Sequence, residues 1–394
     1  MGGRMGVARR GSDVTSNVST SVRGGGKTET PCLQSFSVIR SIGRGAFGKV
    51  CIVQERKTKK YFALKYMNKR RCIEKCVASN VIRELTLLST ISHPFIVNLW
   101  YTFQDPDYMY MVSDLLLGGD LRYHLHQSGK FAEDRAKLYL CEIGLAVEYL
   151  HEMKIVHRDI KPENILLDEQ GHAHLTDLNL ATQLETDELA TSYSGTRPYM
   201  APEIYATYLG LADGYDKRVD WWALGVCYYE MLRGRTPFEF SARTKPEEAY
   251  VTFRDASIPF PASWPSDLIH FLNSFLRFEQ DKRIGSLQAI KQHPYTERID
   301  FDSVYLRKPA PVFIPCKEGL NCDPMYELEE RILVSTPIHR RRANYTSARS
   351  SSEPQNAALN EVSKAFIDFS RHNMPNESPL LIQPTTTKNG VAKK

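Results

Sequence analysis

The feature that most constrains the fold is a change of hydrophobic pattern at Gly118 and Gly119. Over residues 36–115, short runs of β-branched and aromatic residues are separated by turn residues, which is typical of antiparallel strands. Residues 77–89 interrupt these runs with apolar side chains at helical spacing. Beyond the glycines, residues 136–153 place apolar side chains on one helical face. The pattern predicts an α+β fold, in which a small antiparallel β-sheet lobe with one main helix precedes a larger, mostly α-helical lobe.

The two ends of the chain differ from its centre in composition. Residues 1–34 are rich in glycine, serine, threonine and arginine and contain no aromatic side chain, so we expect a disordered tail. An ordered domain is predicted over residues 35–299, with a small lobe at about 35–116 and a large lobe at about 117–299. The packing signal fades over residues 300–394, which are predicted to be largely extended or disordered.

Composition and charge exclude several classes of protein. The 394 residues are 42% hydrophobic and 25% charged, which is an ordinary globular balance. A net charge of +5 is too small to indicate nucleic-acid binding, and no apolar run is long enough to span a membrane. Residues 1–30 lack the apolar segment of a secretory signal, and Gly6 stands where a myristoylation signal needs serine or threonine. We expect a cytoplasmic monomer with reduced cysteines, no nucleic-acid partner and no stable membrane insertion.

A glycine-rich segment lies between two of the predicted strands. The spacing of Gly43, Gly45 and Gly48 occurs in phosphate-binding loops and also in dinucleotide-binding folds. A dinucleotide fingerprint opens a helix, whereas here a strand follows, so the pattern favours a strand–loop–strand that closes over phosphate groups. A glycine hairpin without a ligand is the alternative. The predicted nucleotide-binding residues of this segment are Ile42, Gly43, Arg44, Gly45, Ala46, Phe47, Gly48, Lys49 and Val50.

Two charged residues of the predicted small lobe suggest a phosphate-binding pair. Lys65 ends an apolar run, and Glu84 lies on the predicted helix. An ion pair between them would hold the ammonium against the α- and β-phosphates of a nucleotide. A half-buried ammonium without a partner would be costly, although a lysine at a strand edge is also commonly a solvated side chain.

The string over residues 157–164 is the most specific in the sequence. Asp159 is suited to accept a proton from a substrate hydroxyl, and Lys161 to neutralise charge on a moving phosphoryl group. Asn164 and Asp177 supply oxygen atoms suited to Mg²⁺. These residues predict phosphoryl transfer with Mg²⁺ as the cofactor.

Together, these residues and their order resemble the signature of the eukaryotic protein kinases. The resemblance covers about residues 36–299, roughly two thirds of the chain. It implies the two-lobed protein kinase fold, with ATP as the phosphoryl donor bound in the cleft between the lobes. It also implies that Asp114, Leu116 and Asp120 belong to the nucleotide site.

Further positions refine the resemblance. The residue types at positions Lys161 and Thr196 resemble those of the serine/threonine kinases. The resemblance therefore implies intracellular signalling by phosphorylation of protein serine and threonine hydroxyls. The family also implies an ion pair between Glu203 and Arg283. It implies in addition that Asp220 anchors the catalytic loop through backbone hydrogen bonds.

Three segments are similar to a narrower group of kinases. Residues 66–69, 114–125 and 321–324 resemble the YANK kinases, a divergent AGC-related branch, and residues 293–301 resemble the end of AGC kinase domains. Residues 300–394 would then form an AGC-like C-terminal tail.

The sequence departs from the general kinase pattern at the metal motif and before the hinge. Leu178 replaces the usual phenylalanine but remains apolar, so we expect it to stack beside His157 and Leu88. Asn179 replaces a glycine that often needs unusual backbone angles, and asparagine is the non-glycine residue most tolerant of positive φ. YANK kinases also carry asparagine at this position. Ser113 aligns with the gatekeeper and is small, which should enlarge the back of the adenine pocket.

Three hydroxyl groups are candidates for regulation. Ser192 lies where AGC kinases carry an activating phosphosite, and a phosphate there could pair with Arg158 after action by an upstream kinase. An exposed, unmodified serine is the alternative. Thr196 is expected to shape the serine/threonine site. Residues 366–370 resemble the AGC hydrophobic motif that docks on the small lobe, which makes Ser370 a regulatory candidate, unless the two aromatics occur there by chance.

Acidic residues of the predicted cleft bear on the substrate. Asp120, Glu163 and Glu230 match positions that bind basic residues in basophilic AGC kinases, so a basic sequence context is predicted for the substrate. Asp120 could instead bind the ribose hydroxyls, and all three could be plain solvated carboxylates.

Two other functions compete with an active protein kinase. A pseudokinase scaffold would bind nucleotide without transfer, and only Leu178 and Asn179 favour it. A kinase of small molecules is disfavoured by residues 201–203 and Thr196, which in protein kinases build a peptide-binding surface.

Overall fold

A computed structural model describes residues 31–44, 48–240, 243–316, 321 and 353–374. These residues form the two lobes expected from the sequence. Several predictions fall at least partly outside the described residues. They concern residues 1–30 of the disordered tail predicted over 1–34, the loop tip formed by Gly45, Ala46 and Phe47, and residues 317–320, 322–352 and 375–394 of the predicted C-terminal tail.

The strands form one large sheet and two small two-stranded sheets, β6-β9 and β7-β8. They are β1 (Phe36–Arg44), β2 (Gly48–Glu55), β3 (Tyr61–Asn68), β4 (Leu99–Gln104), β5 (Tyr108–Ser113), β6 (Ile155–Val156), β7 (Ile165–Leu167), β8 (Ala173–Leu175), β9 (Thr182–Gln183) and β10 (Phe369–Ser370). The small-lobe sheet is antiparallel, with the order β1-β2-β3-β5-β4-β10. Strand β1 begins at Phe36, directly after a short 3₁₀ helix at Leu33–Ser35. The Phe36 side chain is buried against Phe62, Tyr101 and Phe103.

The helices divide unequally between the lobes. They are α1 (Lys69–Glu74), α2 (Ala78–Leu88), α3 (Leu121–Ser128), α4 (Glu133–Glu152), α5 (Pro202–Tyr208), α6 (Arg218–Arg233), α7 (Pro246–Asp255), α8 (Ser266–Phe275), α9 (Leu287–Gln292), α10 (Phe301–Tyr305) and α11 (Glu353–Ala365). Helix α2 is the predicted main helix of the small lobe. In the large lobe, α4 and α6 share one apolar core. Among the described residues, no helix combines the length and apolar character needed to cross a membrane.

The described parts of the C-terminal tail contain regular structure. The expectation of a largely extended or disordered segment did not include the helices α10 and α11, whereas the strand β10 is extended. Helix α11 is a short polar helix, and isolated helices of this length are marginal in water. Contacts with the small lobe stabilise it, and such contacts between distant parts of the chain leave no local sequence signal.

The tail docks on the small lobe through an apolar side chain. Phe366 is only 3% exposed and lies in a cluster with Val81 and Leu85 of α2 and Leu99 of β4. This is the docked arrangement that the resemblance to AGC kinases implies, and it disfavours the chance occurrence of the two aromatics.

Hydrogen bonds fix the docked tail in register. The Gln104 side-chain amide donates to the carbonyl oxygens of Ser363 at 2.9 Å and Phe366 at 3.1 Å. The buried Lys69 ammonium donates to the Gln104 amide oxygen at 2.7 Å and to the Ser363 hydroxyl at 2.9 Å. Polar and apolar contacts therefore act together at this interface.

Replacing Phe366 with alanine is expected to release the tail. Truncation of a buried phenylalanine costs about 3–5 kcal/mol, which exceeds what a short docked segment can retain. Hydrogen–deuterium exchange should then show loss of protection in β10 and along β4. The matched control is Ile367→Ala, because Ile367 is 58% exposed and its loss should leave protection unchanged. Equal protection in the two variants would contradict the docking role of Phe366.

Candidate active site

The predicted ion pair between Lys65 and Glu84 is present in the small lobe. The Lys65 ammonium on β3 donates to both carboxylate oxygens of Glu84 on α2, at 2.9 and 3.0 Å. Burial opposes the charge of the ammonium, but the Glu84 carboxylate outweighs this effect and raises the pKa of Lys65 above its usual value. The pair therefore keeps a fixed cation at the edge of the cleft.

The catalytic loop surrounds Asp159 with hydrogen-bond donors. One carboxylate oxygen accepts from the Lys161 ammonium at 2.7 Å and from the Asn164 amide at 3.1 Å. The other accepts from the Thr196 hydroxyl at 2.7 Å, and Lys161 also donates to Thr196 at 2.8 Å. The four predicted residues converge on one point, with the carboxylate held in a single orientation.

A buried carboxylate on α6 holds the backbone of this loop. The two oxygens of Asp220 accept from the backbone amides of His157 and Arg158, each at 2.8 Å, and His151 lies 2.8 Å from one of them. Burial alone would raise the pKa of Asp220, but these hydrogen bonds outweigh it and hold the pKa below its usual value. Arg158 keeps a φ of 67°, an unfavourable conformation that the Asp220 contacts stabilise. The anchoring role implied by the resemblance is confirmed in geometry.

The second implied ion pair lies deeper in the large lobe. Arg283 donates to one Glu203 oxygen at 2.5 Å and to the other at 2.9 Å, and both side chains are buried. The bidentate contact fixes the first turn of α5 against the segment that follows α8.

Asn164 and Asp177 carry the oxygen donors predicted for Mg²⁺. The Asn164 side-chain nitrogen donates to the Asp159 carbonyl at 2.8 Å and to its carboxylate, which leaves the amide oxygen as a potential ligand. The Thr176 amide donates to the Asn164 carbonyl at 2.9 Å, so the neighbouring Asp177 lies beside it. Asp177 also interacts electrostatically with Lys65 across the cleft. A carboxylate and an amide oxygen in this arrangement fit Mg²⁺, which prefers oxygen ligands and few protein contacts.

The unusual backbone angle of the metal motif lies at its aspartate. Positive φ occurs at Asp177, at 68°, and Asn179 is not among the described residues with positive φ. The asparagine is therefore not required to tolerate an unusual backbone angle here. Its side-chain amide instead donates to the carboxylate of Asp177. Leu178 is buried in the large-lobe core, with Leu88 packed against the same core, as expected for an apolar replacement.

The glycine-rich segment connects two paired strands and opens no helix. Gly43 pairs with Val50 and Arg44 with Lys49 across β1 and β2, which disfavours the dinucleotide-binding alternative. A Cβ at Gly48 would lie 2.4 Å from the carbonyl oxygen of Tyr66, so only glycine fits this position.

The hinge and the start of α3 form the opposite wall of the cleft. The Asp114 carboxylate accepts from the Asn98 backbone and from the Trp100 indole at 2.6 Å, so this side chain is used within the protein. Backbone groups of Asp114 and Leu116 remain the candidates for adenine. Asp120 caps α3 by accepting from the Tyr123 amide at 2.8 Å, and burial raises its pKa.

Sequence reasoning missed Arg122, which lies in the first turn of α3. Its guanidinium donates to Glu163 at 2.9 Å and to Glu230 at 2.8 Å, two of the residues predicted to bind basic substrate side chains. Tyr199 completes the cluster by donating to Glu230 at 2.6 Å. The sequence signal was the presence of two acidic residues, which need a cation nearby. The sequence does not identify the basic side chain that serves as this cation.

Comparison with known proteins agrees with this geometry. The protein kinase domain family matches residues 36–296. The chain is 46% identical to human serine/threonine-protein kinase 32B over 348 residues, which cover 86% of this chain and 84% of that protein. It is 44% identical to mouse serine/threonine-protein kinase 32C over 359 residues, which cover 89% of this chain and 74% of that protein. It is also 36% identical to a RAC family serine/threonine-protein kinase homolog of Dictyostelium discoideum over 296 residues. These cover 74% of this chain and 65% of that protein.

The chain belongs to the protein kinase family. Within that family it is a member of the AGC-related YANK branch, as its similarity to kinases 32B and 32C indicates. It is an ATP-dependent serine/threonine protein kinase that uses Mg²⁺.

Replacing Glu84 with glutamine is expected to lower kcat/KM for ATP about ten- to hundredfold. The change leaves the Lys65 ammonium without its charged partner, and hydrogen bonds to charged groups contribute about 1.5–3 kcal/mol. Steady-state kinetics with ATP varied at a fixed peptide concentration would measure the effect. Glu74→Gln, an exposed glutamate at the end of α1, is the matched control. An unchanged kcat/KM in Glu84→Gln would contradict the positioning role of the pair.

Proposed function

We propose that Asp159 receives the proton of the substrate hydroxyl as that oxygen attacks the γ-phosphorus of ATP. The observation that carries this assignment is the hydrogen bonding of the Asp159 carboxylate to Lys161, Asn164 and Thr196. These donors leave the carboxylate little freedom to rotate, so the acceptor hydroxyl meets a base that is already oriented. The oxygen–phosphorus bond to the substrate forms while the bond to the β-phosphate oxygen breaks.

The other site residues act on charge. Lys65, held by Glu84, binds the α- and β-phosphates, and Lys161 neutralises charge on the transferred group. Asp177 and Asn164 would hold Mg²⁺, which neutralises charge on the phosphates when bound. Little covalent chemistry is required of the protein, so the rate arises from positioning and electrostatic stabilisation.

Replacing Asp159 with asparagine is expected to lower kcat about 10²- to 10⁴-fold, the usual contribution of a positioned general base. Asparagine preserves the size of the side chain but cannot take up the proton. Transfer of radiolabelled phosphate from Mg-ATP to a protein or peptide substrate measures the loss. Asp255→Asn, a change at an exposed carboxylate at the end of α7, is the control. Undiminished transfer by Asp159→Asn would refute the assignment.

The scaffold alternative depends on the altered metal motif. The burial of Leu178 and the electrostatic attraction between Asp177 and Lys65 support a working site over the scaffold. Wild-type transfer that is lost in Asp159→Asn would exclude the scaffold. Transfer by Leu178→Phe alone would show instead that the leucine holds the enzyme inactive.

We propose that an upstream kinase activates the enzyme at Ser192. The Ser192 hydroxyl lies 2.5 Å from the Arg158 guanidinium, which also donates to the Leu180 carbonyl at 2.7 Å. A phosphate at this position would pair with Arg158 and join the catalytic loop to the activation segment. Ser370 is a second candidate, but it is buried in β10, so its modification must precede docking of the tail or release it.

Replacing Ser192 with alanine is expected to lower the activity of enzyme isolated from eukaryotic cells about tenfold or more. The variant cannot form the charge-assisted hydrogen bonds between phosphate and Arg158. Mass spectrometry of the wild-type protein and peptide kinetics of both proteins provide the measurement. Ser194→Ala removes a neighbouring hydroxyl 3.1 Å from that of Ser192 and is the matched control. Phosphate-free Ser192 in a fully active enzyme would contradict the proposal.

The remaining proposals concern the cell and the substrate. We propose that the enzyme is a cytoplasmic monomer. The basic sequence context predicted for the substrate requires free carboxylates, and Arg122 already pairs with Glu163 and Glu230. Substrate preference therefore depends on this arginine.

A further inference from the structure

Arg122 lies beside the reacting centre and not on a remote surface. Glu163 belongs to the short 3₁₀ helix Pro162–Asn164 of the catalytic loop, four residues after Asp159. Tyr199 ends the 3₁₀ helix Arg197–Tyr199, which begins directly after Thr196. A substrate chain with its hydroxyl at Asp159 would pass this cluster, defined here by Arg122, Glu163, Tyr199 and Glu230.

The contacts within the cluster satisfy the buried carboxylate. Glu230 is 7% exposed, and its oxygens accept from Arg122 at 2.8 and 3.3 Å and from the Tyr199 hydroxyl at 2.6 Å. Arg122 is itself only 23% exposed, and the nitrogen nearest its stem donates to Glu163 at 2.9 Å. Burial opposes its charge, but the hydrogen bonds to Glu230 outweigh this effect and raise the pKa of Arg122.

We propose that Arg122 is a specificity-determining residue that occupies, from within the chain, the place between Glu163 and Glu230 where a basic substrate side chain would otherwise bind. The proposal rests on the proposed function, because it requires the peptide to approach Asp159 along this face. A substrate arginine would have to displace a guanidinium that already makes bidentate contact with Glu230. The wild-type enzyme is therefore indifferent to basic residues at this subsite.

The charge balance of the cluster supports this conclusion. Two carboxylates face one guanidinium, so the cluster has a net charge of about −1. This excess negative charge lies mainly on Glu163, whose side chain is 43% exposed and therefore screened by water. The buried carboxylate, where a charge-assisted contact would contribute most, is the one already occupied. Removing the Arg122 side chain would open a buried anionic pocket of the size of a guanidinium.

A set of serine peptides with arginine or alanine at each of the five positions before the acceptor tests the proposal. The measured quantity is the ratio of kcat/KM for the arginine and alanine peptides, determined within each enzyme variant. For the wild type, we expect every ratio to stay below about threefold. For Arg122→Ala, at least one ratio should rise about ten- to hundredfold, as expected for hydrogen bonds between charged groups.

Two further variants make the test specific. Arg122→Ala combined with Glu230→Gln should lose the gain, because the anionic pocket is no longer charged. Arg254→Ala removes an arginine that pairs with Asp255 on the surface of α7 and should keep the wild-type ratios. Arg122→Gln, with melting temperatures for each variant, replaces Arg122→Ala if the latter does not fold.

The outcomes separate this proposal from the catalytic one. A strong arginine preference in the wild type, or no gain in folded Arg122→Ala or Arg122→Gln, overturns the role of Arg122. A wrong assignment of Asp159 would be seen in a different measurement. The Asp159→Asn variant would then still phosphorylate the arginine-free peptide.

Discussion

The active site depends on the buried carboxylate of Asp220. Its two oxygens hold consecutive backbone amides of the catalytic loop, and the loop in turn presents Asp159 to the cleft. The loop backbone passes through an unfavourable conformation at Arg158, which local sequence preferences do not stabilise. An interaction between α6 and the loop supplies the missing stability, so the core of the large lobe determines the geometry of the reacting groups.

The small lobe depends on a comparable long-range connection. The tail packs Phe366 on α2, and the same helix carries Glu84 towards Lys65. On the other face, Arg371 donates to the Leu99 carbonyl and to Asn98, which contacts Asp114 of the hinge. The C-terminal segment thus contacts the helix that carries Glu84 and a residue that holds the hinge, although it lies far away in the sequence.

The sequence was most informative where a motif encodes its own geometry. Asp159, Lys161 and Asn164 lie within six consecutive residues. Their mutual contacts could therefore be predicted from the motif over residues 157–164 and its resemblance to kinases. The pairing of Arg122 could not, because its partners lie 41 and 108 residues away and only the folded backbone brings them together. The sequence did not show that the positive φ of this motif lies at Asp177, because backbone angles depend on the folded surroundings.

The short strand β10 also has a consequence for the solution behaviour of the kinase. It covers the outer edge of β4, where unpaired backbone groups would otherwise be open to another chain. Release of the tail uncovers both this edge and the apolar cluster around Phe366. The docked tail therefore stabilises the small lobe and also prevents self-association through the edge of β4. Enzyme without the docked tail would be expected to aggregate before it unfolds.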